Sequence, residues 1–451
     1  MNTSIEPVML DTPVAGLRPR FQTGLAFNLI GAVFNQGSTL AFSVIAANLL
    51  GRQTFGEYAM VQSTVVSLAL IAQFAIPYTT TKYLAEFRAN DPDRAGRILG
   101  MLSILSITVA GVVSLAFLVL SPWLAKAVLR TPSLVTALAI ASSVLLITTL
   151  NGFLTGALSG LECYRALAGA FAWSGVSYLV VCSALAWLGG LNGSIVGLAL
   201  SGIIQFILLA AALRRECLSQ RIETRYESFA RERNVILKFT LPAGLIGFTS
   251  GPALWLPNAF LIRQPNGYSQ MAIYSASFSL MAVVLFLPGI ANTVGTSIIN
   301  YHKGADNRSE FRQAFWANLA VTAAAIVCGA GLFALLGPQL LRLFGKSFNE
   351  GYPVLIILLL STMPQGLALA MTQIIQTHSK LWQFFLIVAV PRDTLILFLA
   401  YLFIPAYGAR GLAIAYAMGW TVALLVTAII VFRLGFESAP RNERLVRDMS
   451  Y

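Results

Sequence analysis

The chain has 451 residues, of which 57% are hydrophobic and only 11% charged, and its mean hydropathy is +0.75. A soluble domain carries about a quarter charged residues, so this composition excludes a water-exposed globule and requires a lipid solvent. The net charge of +12 would suit a nucleic-acid binder only if the arginines shared one face with aromatics between them. They lie instead in short polar gaps between apolar runs, which excludes nucleic acid as a partner.

A helix crossing a bilayer needs about 20 apolar residues. Twelve such runs are predicted in chain order, near residues 24–49, 57–80, 98–120, 134–157, 168–188, 194–213, 239–261, 271–299, 314–336, 352–376, 383–404 and 411–433. Residues 1–20 form a polar tail ending in Arg18 and Arg20. The first run is too long for a cleaved signal peptide and reads as a retained span. Of the 30 basic residues, 22 fall in the tails and in every second gap, seven in the other gaps, and Arg392 inside a run. By the positive-inside rule both termini are expected in the cytoplasm.

The longest polar stretch, 214–238, is a basic linker separating six runs (21–213) from six (239–433), followed by a tail at 434–451. At an offset of about 216 residues, Ser121-Pro122-Trp123-Leu124 faces Gly337-Pro338-Gln339-Leu340, and Tyr58 faces Tyr274. Six crossings return the chain to its starting side, so the expected halves are parallel repeats. Transporters of that design bind substrate between the halves and rock to alternate access. Pro242, Pro252 and Pro257 in the seventh run, Pro288 in the eighth and Pro391 in the eleventh are hinge candidates, since each removes a backbone hydrogen bond. Membrane helices also tolerate proline without a hinge.

Cys163, Cys182, Cys217 and Cys328 lack disulfide or metal spacing, and His302 and His378 are far apart. No metal or other cofactor is expected.

The segment Leu49-Leu50-Gly51-Arg52-Gln53-Thr54-Phe55-Gly56-Glu57-Tyr58 resembles a signature of the polysaccharide transport family, the O-antigen and exopolysaccharide repeat-unit flippases. Thr81-Lys82-Tyr83-Leu84-Ala85-Glu86-Phe87, Leu287-Pro288 and Leu343-Phe344-Gly345-Lys346-Ser347-Phe348 are similar to later motifs of that family. The resemblance covers roughly residues 20–435. It implies an all-α membrane protein of two pseudo-symmetric six-helix lobes in a V shape, with a central cavity. It implies as substrate an undecaprenyl-diphosphate-linked oligosaccharide, turned from the cytoplasmic to the periplasmic leaflet of the bacterial inner membrane. Membrane lipid is the other expected partner, with a polysaccharide polymerase and a chain-length regulator as further candidates.

A diphosphate in hydrocarbon needs cationic partners. Arg392 is the first candidate, since an arginine at mid-span costs about 2.5–3.5 kcal/mol on insertion scales and normally faces the interior. The competing reading is a structural pair with Asp393. Lys82, Arg52, Arg165 and Arg263 lie at run ends, where a snorkelling charge is the alternative. Asn28 and Asn35, two turns apart, and Gln365, Thr372 and Gln376 form polar faces that suit a sugar or, equally, interhelical hydrogen bonds.

Three rivals remain. A multidrug or cation antiporter of the same superfamily would use carboxylates buried at mid-span, and Asp393 is the only one here. The major facilitator class shares the six-plus-six plan, but Asp93-Arg94-Ala95-Gly96-Arg97 matches its motif incompletely. A membrane glycosyltransferase or polymerase would carry a catalytic acidic cluster or a large periplasmic loop, and the gaps are short. The chain is therefore expected to be a transporter and not an enzyme.

Overall fold

The computed structural model describes residues 17–226, 240–304, 308–377 and 384–434. Most of the tails, the linker beyond residue 226 and His378 lie outside the described residues, as do the side chains of Asn28, Pro242, His302 and Gln376. The described chain is all-helical, 92% helix with no strand. Its helices are α1 (Leu17–Gln73), α2 (Ile76–Phe87), α3 (Pro92–Trp123), α4 (Leu134–Gly160), α5 (Tyr164–Ser219), α6 (Leu241–Ile262), α7 (Gly267–Gly304), α8 (Arg308–Leu335), α9 (Gly337–Leu343), α10 (Tyr352–Thr377), α11 (Val390–Tyr407) and α12 (Ala409–Leu434). In lipid every backbone polar group must be satisfied within its own segment, and helices do this.

Two pairs of predicted runs are joined without a loop. The runs 24–49 and 57–80 share α1, which breaks at Gly51 (φ 74, ψ 166). The runs 168–188 and 194–213 share α5, which breaks at Gly190 (φ 55, ψ −131). Both glycines hold positive φ, a conformation nearly free of cost only without a Cβ. The arms then fold back on each other. Phe42 and Tyr58 stack edge to face with centroids 5.8 Å apart, whereas sixteen residues of straight helix span about 24 Å. Likewise Cys182 Sγ lies 3.9 Å from Ser201 Oγ. Nine stretches among the described residues are long and apolar enough to cross a membrane, and the two longest include these bends.

Within the first half, α1 packs on α4 and α5, and α3 and α2 pack on α4. Within the second, α10 and α11 pack on α12, and α7 on α8 and α10. The halves meet where α1 lies against α6 and α7. Glycines set that distance. A Cβ at Gly247 would collide with the Leu70 carbonyl oxygen, one at Gly251 would sit 2.8 Å from the Ser67 carbonyl oxygen, and one at Gly244 2.9 Å from the Phe74 ring. Backbones that approach this closely gain dispersion contacts, which replace the missing hydrophobic drive in lipid.

Near Arg52 a single core runs across both halves, with Phe55 packed against Phe344 and Phe348. Toward the other end the cores separate. One cluster lies wholly in the first half around Leu102, Leu158 and Leu209, and a small one in the second around Phe315 and Val431. There the halves touch through Phe74 on Phe248 and Thr79 on Thr240.

Substituting Gly247 by valine should separate α1 from α6 and destabilise the fold by about 1–3 kcal/mol, the usual cost of overpacking. Thermal melting in detergent should show a lower midpoint for Gly247→Val. Gly111→Ala, where nothing lies within 4 Å of the new Cβ, should leave it unchanged.

Candidate functional site

A cavity of 340 Å³ lies between the halves, walled by α1, α6, α7, α11 and α12. Its polar lining is uncharged: Gln36, Gln62 and Ser63 from α1, Asn258 from α6, Ser275 from α7, and Tyr416 from α12. Two hydrogen bonds across the seam fix its wall. Asn258 Nδ2 donates to Ser63 Oγ at 2.7 Å, and Trp255 Nε1 donates to Thr64 Oγ1 at 2.9 Å. Sequence reasoning missed these residues because Gln62-Ser63-Thr64 and Asn258 lie in separate helices, and only the packing of α1 on α6 brings them together.

Arg392 and Asp393 lie one helical turn from the cavity. Ile396, a turn further along α11, lines it, as does Tyr416, a turn before Trp420 on α12. The guanidinium of Arg392 donates to Asp393 Oδ1 through Nε (2.7 Å) and Nη2 (2.6 Å). Ser250 Oγ donates to Asp393 Oδ2 at 3.0 Å, and the guanidinium carbon sits 4.5 Å from the centre of the Trp420 ring. Asp393 is 5% exposed and is the only charged residue among the buried ones described. The pair is thus internally neutralised, with its positive group on an aromatic face. Pro391 follows a π-turn at Phe385–Ala389, which is how a helix accommodates a ring that lacks an N–H.

The remaining candidates scatter. Arg52 bridges the halves, donating to Glu350 Oε2 at 2.9 Å, to the Ser347 carbonyl at 3.1 Å and to the Ser269 carbonyl at 3.4 Å. Arg263 is exposed and donates to the Val128 carbonyl at 3.0 Å, binding α6 to the end of the third helix. Lys82 is exposed on α2, with Nζ 5.2 Å from the Tyr83 ring. Arg165 opens α5 in an outer groove with Glu162, Arg215 and Trp173. Asn35 borders a cavity inside the first half. Gln365 accepts from the Tyr416 hydroxyl at 3.1 Å, at the edge of the central cavity. Thr372 is buried and donates to the Ala368 carbonyl of its own helix, so it faces no cavity. Of the prolines, Pro257 lines the central cavity, Pro252 and Pro288 lie inside α6 and α7, and Pro242 stands in the first turn of α6, where proline costs nothing. Cys163, in the turn between α4 and α5, has its thiol pushed up to about 12 by burial with a smaller contribution from Glu216, so it is not a reactive thiolate.

The Arg52 end is the more tightly joined. Asn48 Nδ2 donates to the Leu343 carbonyl at 2.6 Å, so a cysteine pair at 48 and 343 should cross-link readily in membranes. Adding Glu350→Ala should shift the balance between joined and parted forms by roughly 1.5- to 5-fold, since a largely exposed ion pair contributes about 0.2–1 kcal/mol. The cross-linking yield under limiting oxidant reads this directly.

A family model described as polysaccharide biosynthesis protein matches residues 22–299. The EPS I polysaccharide export inner membrane protein EpsE of Ralstonia nicotianae is 22% identical over 421 residues, covering 90% of this chain and 93% of that one. The EpsE protein of Ralstonia solanacearum is 22% identical over 388 residues, covering 83% and 85%. Among solved structures, an inward-facing multidrug resistance MATE family transporter superposes with a TM-score of 0.73 at 16% identity, covering 91% of this chain and 96% of that one. A transporter of the same superfamily from Pyrococcus furiosus, titled for the reverse polarity of its binding pocket, gives a TM-score of 0.68 at 18% identity over 91% and 94%. The fold is that of these exporters, and the protein spans the inner membrane several times. The chain belongs to the polysaccharide biosynthesis protein family.

Proposed function

We propose that the chain exports polysaccharide precursors by turning undecaprenyl-diphosphate-linked oligosaccharide repeat units from the cytoplasmic to the periplasmic leaflet, without catalysing a covalent step. Twelve spans in two lobes, bounded at the linker 214–238, open the central cavity alternately to each side, with both termini in the cytoplasm. The observation that carries this reading is the cavity between the halves, whose polar groups are hydroxyls and amides with no carboxylate among them. Sugars are recognised by such groups, and the family membership and the EpsE relatives favour the same substrate class. The Arg52 cluster acts as the periplasmic closure. The hydrocarbon-facing exterior accommodates the polyprenyl chain while the head group passes through the cavity.

A cation antiporter is less well supported. It needs a buried carboxylate able to exchange its cation, and Asp393 is held by Arg392 and Ser250. For the diphosphate, the pair supplies the guanidinium N–H groups that Asp393 does not take, so Arg392 reaches a phosphate oxygen while keeping its carboxylate partner.

Arg392→Ala strands the Asp393 carboxylate in a buried site, and breaking a buried pair costs about 3–5 kcal/mol. Its loss of activity would therefore mix folding with binding. Arg392→Gln combined with Asp393→Asn removes both charges at similar volume. In proteoliposomes supplied with purified undecaprenyl-diphosphate-linked repeat unit, the wild type should equalise the lipid between leaflets. The double variant should reconstitute to the same level yet translocate at least about tenfold more slowly, equivalent to a loss of about 1.4 kcal/mol. Equal rates would remove the pair from the mechanism. No translocation by the wild type would overturn the function itself.

A further inference from the structure

A second cavity, of 300 Å³, lies within the first half between α1, α4 and α5, with the exposed Asn35 on its rim. Its polar lining includes Asn35, Gln73, Asn151, Thr155, Ser174 and Gln205, and no lining residue carries a charge. Asn151 is 7% exposed. Its Nδ2 donates to the Gly202 carbonyl at 3.1 Å and to Gln205 Oε1 at 3.4 Å, but its Oδ1 is buried without a donor. A buried acceptor left without a donor is a free-energy cost that an incoming hydroxyl would remove.

A smaller cavity of 190 Å³ links this chamber to the central one. It shares Thr39, Gln62 and Val66 with the cavity between the halves, and Val144, Thr148 and Tyr178 with the inner chamber. The three cavities therefore adjoin from the seam into the first half. Seven of the eleven side chains around the small one are apolar, whereas the inner chamber is lined by amides and hydroxyls. Such a lining selects its occupant. An ion would lose its hydration for no countercharge, and an apolar group would leave the buried Asn151 Oδ1 without a donor. Sugar hydroxyls both donate and accept, as amides do. The volume is at the small end for ligand sites, suited to part of a glycan rather than a whole repeat unit.

We propose that this chamber is a glycan subsite that receives an uncharged sugar residue of the lipid-linked oligosaccharide while the diphosphate stays in the central cavity. The inference rests on the flippase reading above. It adds a second sugar contact in the first half, beside the central cavity, and leaves the anionic group to Arg392 in the second.

The test is site-directed protection in proteoliposomes containing the full chain with Thr155→Cys or, as a second probe, Thr148→Cys. Modification by N-ethylmaleimide is read at that position by peptide mass spectrometry, so the native cysteines remain in place. Undecaprenyl-diphosphate-linked repeat unit, at roughly ten times its Kd, should slow modification roughly tenfold by occupancy, whereas undecaprenyl diphosphate without sugar should not. If both lipids protect equally, the chamber senses the carrier, and the proposal fails. Translocation of the repeat unit without protection at either position also overturns it and leaves the flippase reading intact. A cysteine that is never modified, with or without lipid, shows a chamber closed to solutes and overturns it as well. Failure of the wild type to move the repeat unit removes the reading on which the proposal stands.

Discussion

The cost of an unpaired charge in hydrocarbon governs this molecule. It keeps charged residues to 11% of the chain and places nearly all the basic ones outside the apolar runs. It also requires the buried Asp393 to be matched at once by Arg392. The same cost shapes the cavities, which are lined by amides and hydroxyls. A protein that must carry a polar head group through a bilayer can do so only if its own interior leaves few charges to be desolvated on each cycle. Neutral polar groups meet that requirement, since each exchanges one hydrogen bond for another.

The second constraint is mechanical. The proposed rocking of the halves needs a contact tight enough to guide them and few enough ties to release them. The glycines of α6 bring its backbone against α1, and a few hydrogen bonds, Asn258 to Ser63 and Trp255 to Thr64, keep the register. At the Arg52 end the ties are the Arg52–Glu350 ion pair, bonds to backbone carbonyls and the packing of Phe55 on Phe344 and Phe348. Separate cores toward the opposite end allow the halves to part there without breaking a packed interior.

Much of the fold was legible in the sequence, because the length and apolar content of a spanning helix are set by the bilayer. All twelve predicted runs fall on helices wherever they are described, apart from the short break at Phe74 and Ala75 and the turn at Leu336. The bends at Gly51 and Gly190 were not predicted as loopless. A reversal through one glycine leaves no polar gap, and the residues around Gly190 look like any small apolar stretch. The site was less legible. Asn35 borders a cavity and Gln365 accepts from the cavity-lining Tyr416, but Arg52 and Arg263 tie elements together. The neighbours Arg392 and Asp393 pair although adjacent helical residues do not face each other. That pairing depends on Ser250 and Trp420, which come from other helices. The inner chamber draws its lining from three helices far apart in the chain, so no local pattern could announce it.

The central claim is that this chain moves a lipid-linked glycan from the inner to the outer leaflet. The most direct measurement is to delete the gene in its host and determine on which leaflet the lipid-linked oligosaccharide accumulates. The account predicts repeat units building up on the cytoplasmic face while surface polysaccharide disappears, both reversed by restoring the gene. Unchanged surface polysaccharide together with raised sensitivity to cationic drugs would contradict it and would identify the protein as a drug exporter of the same fold.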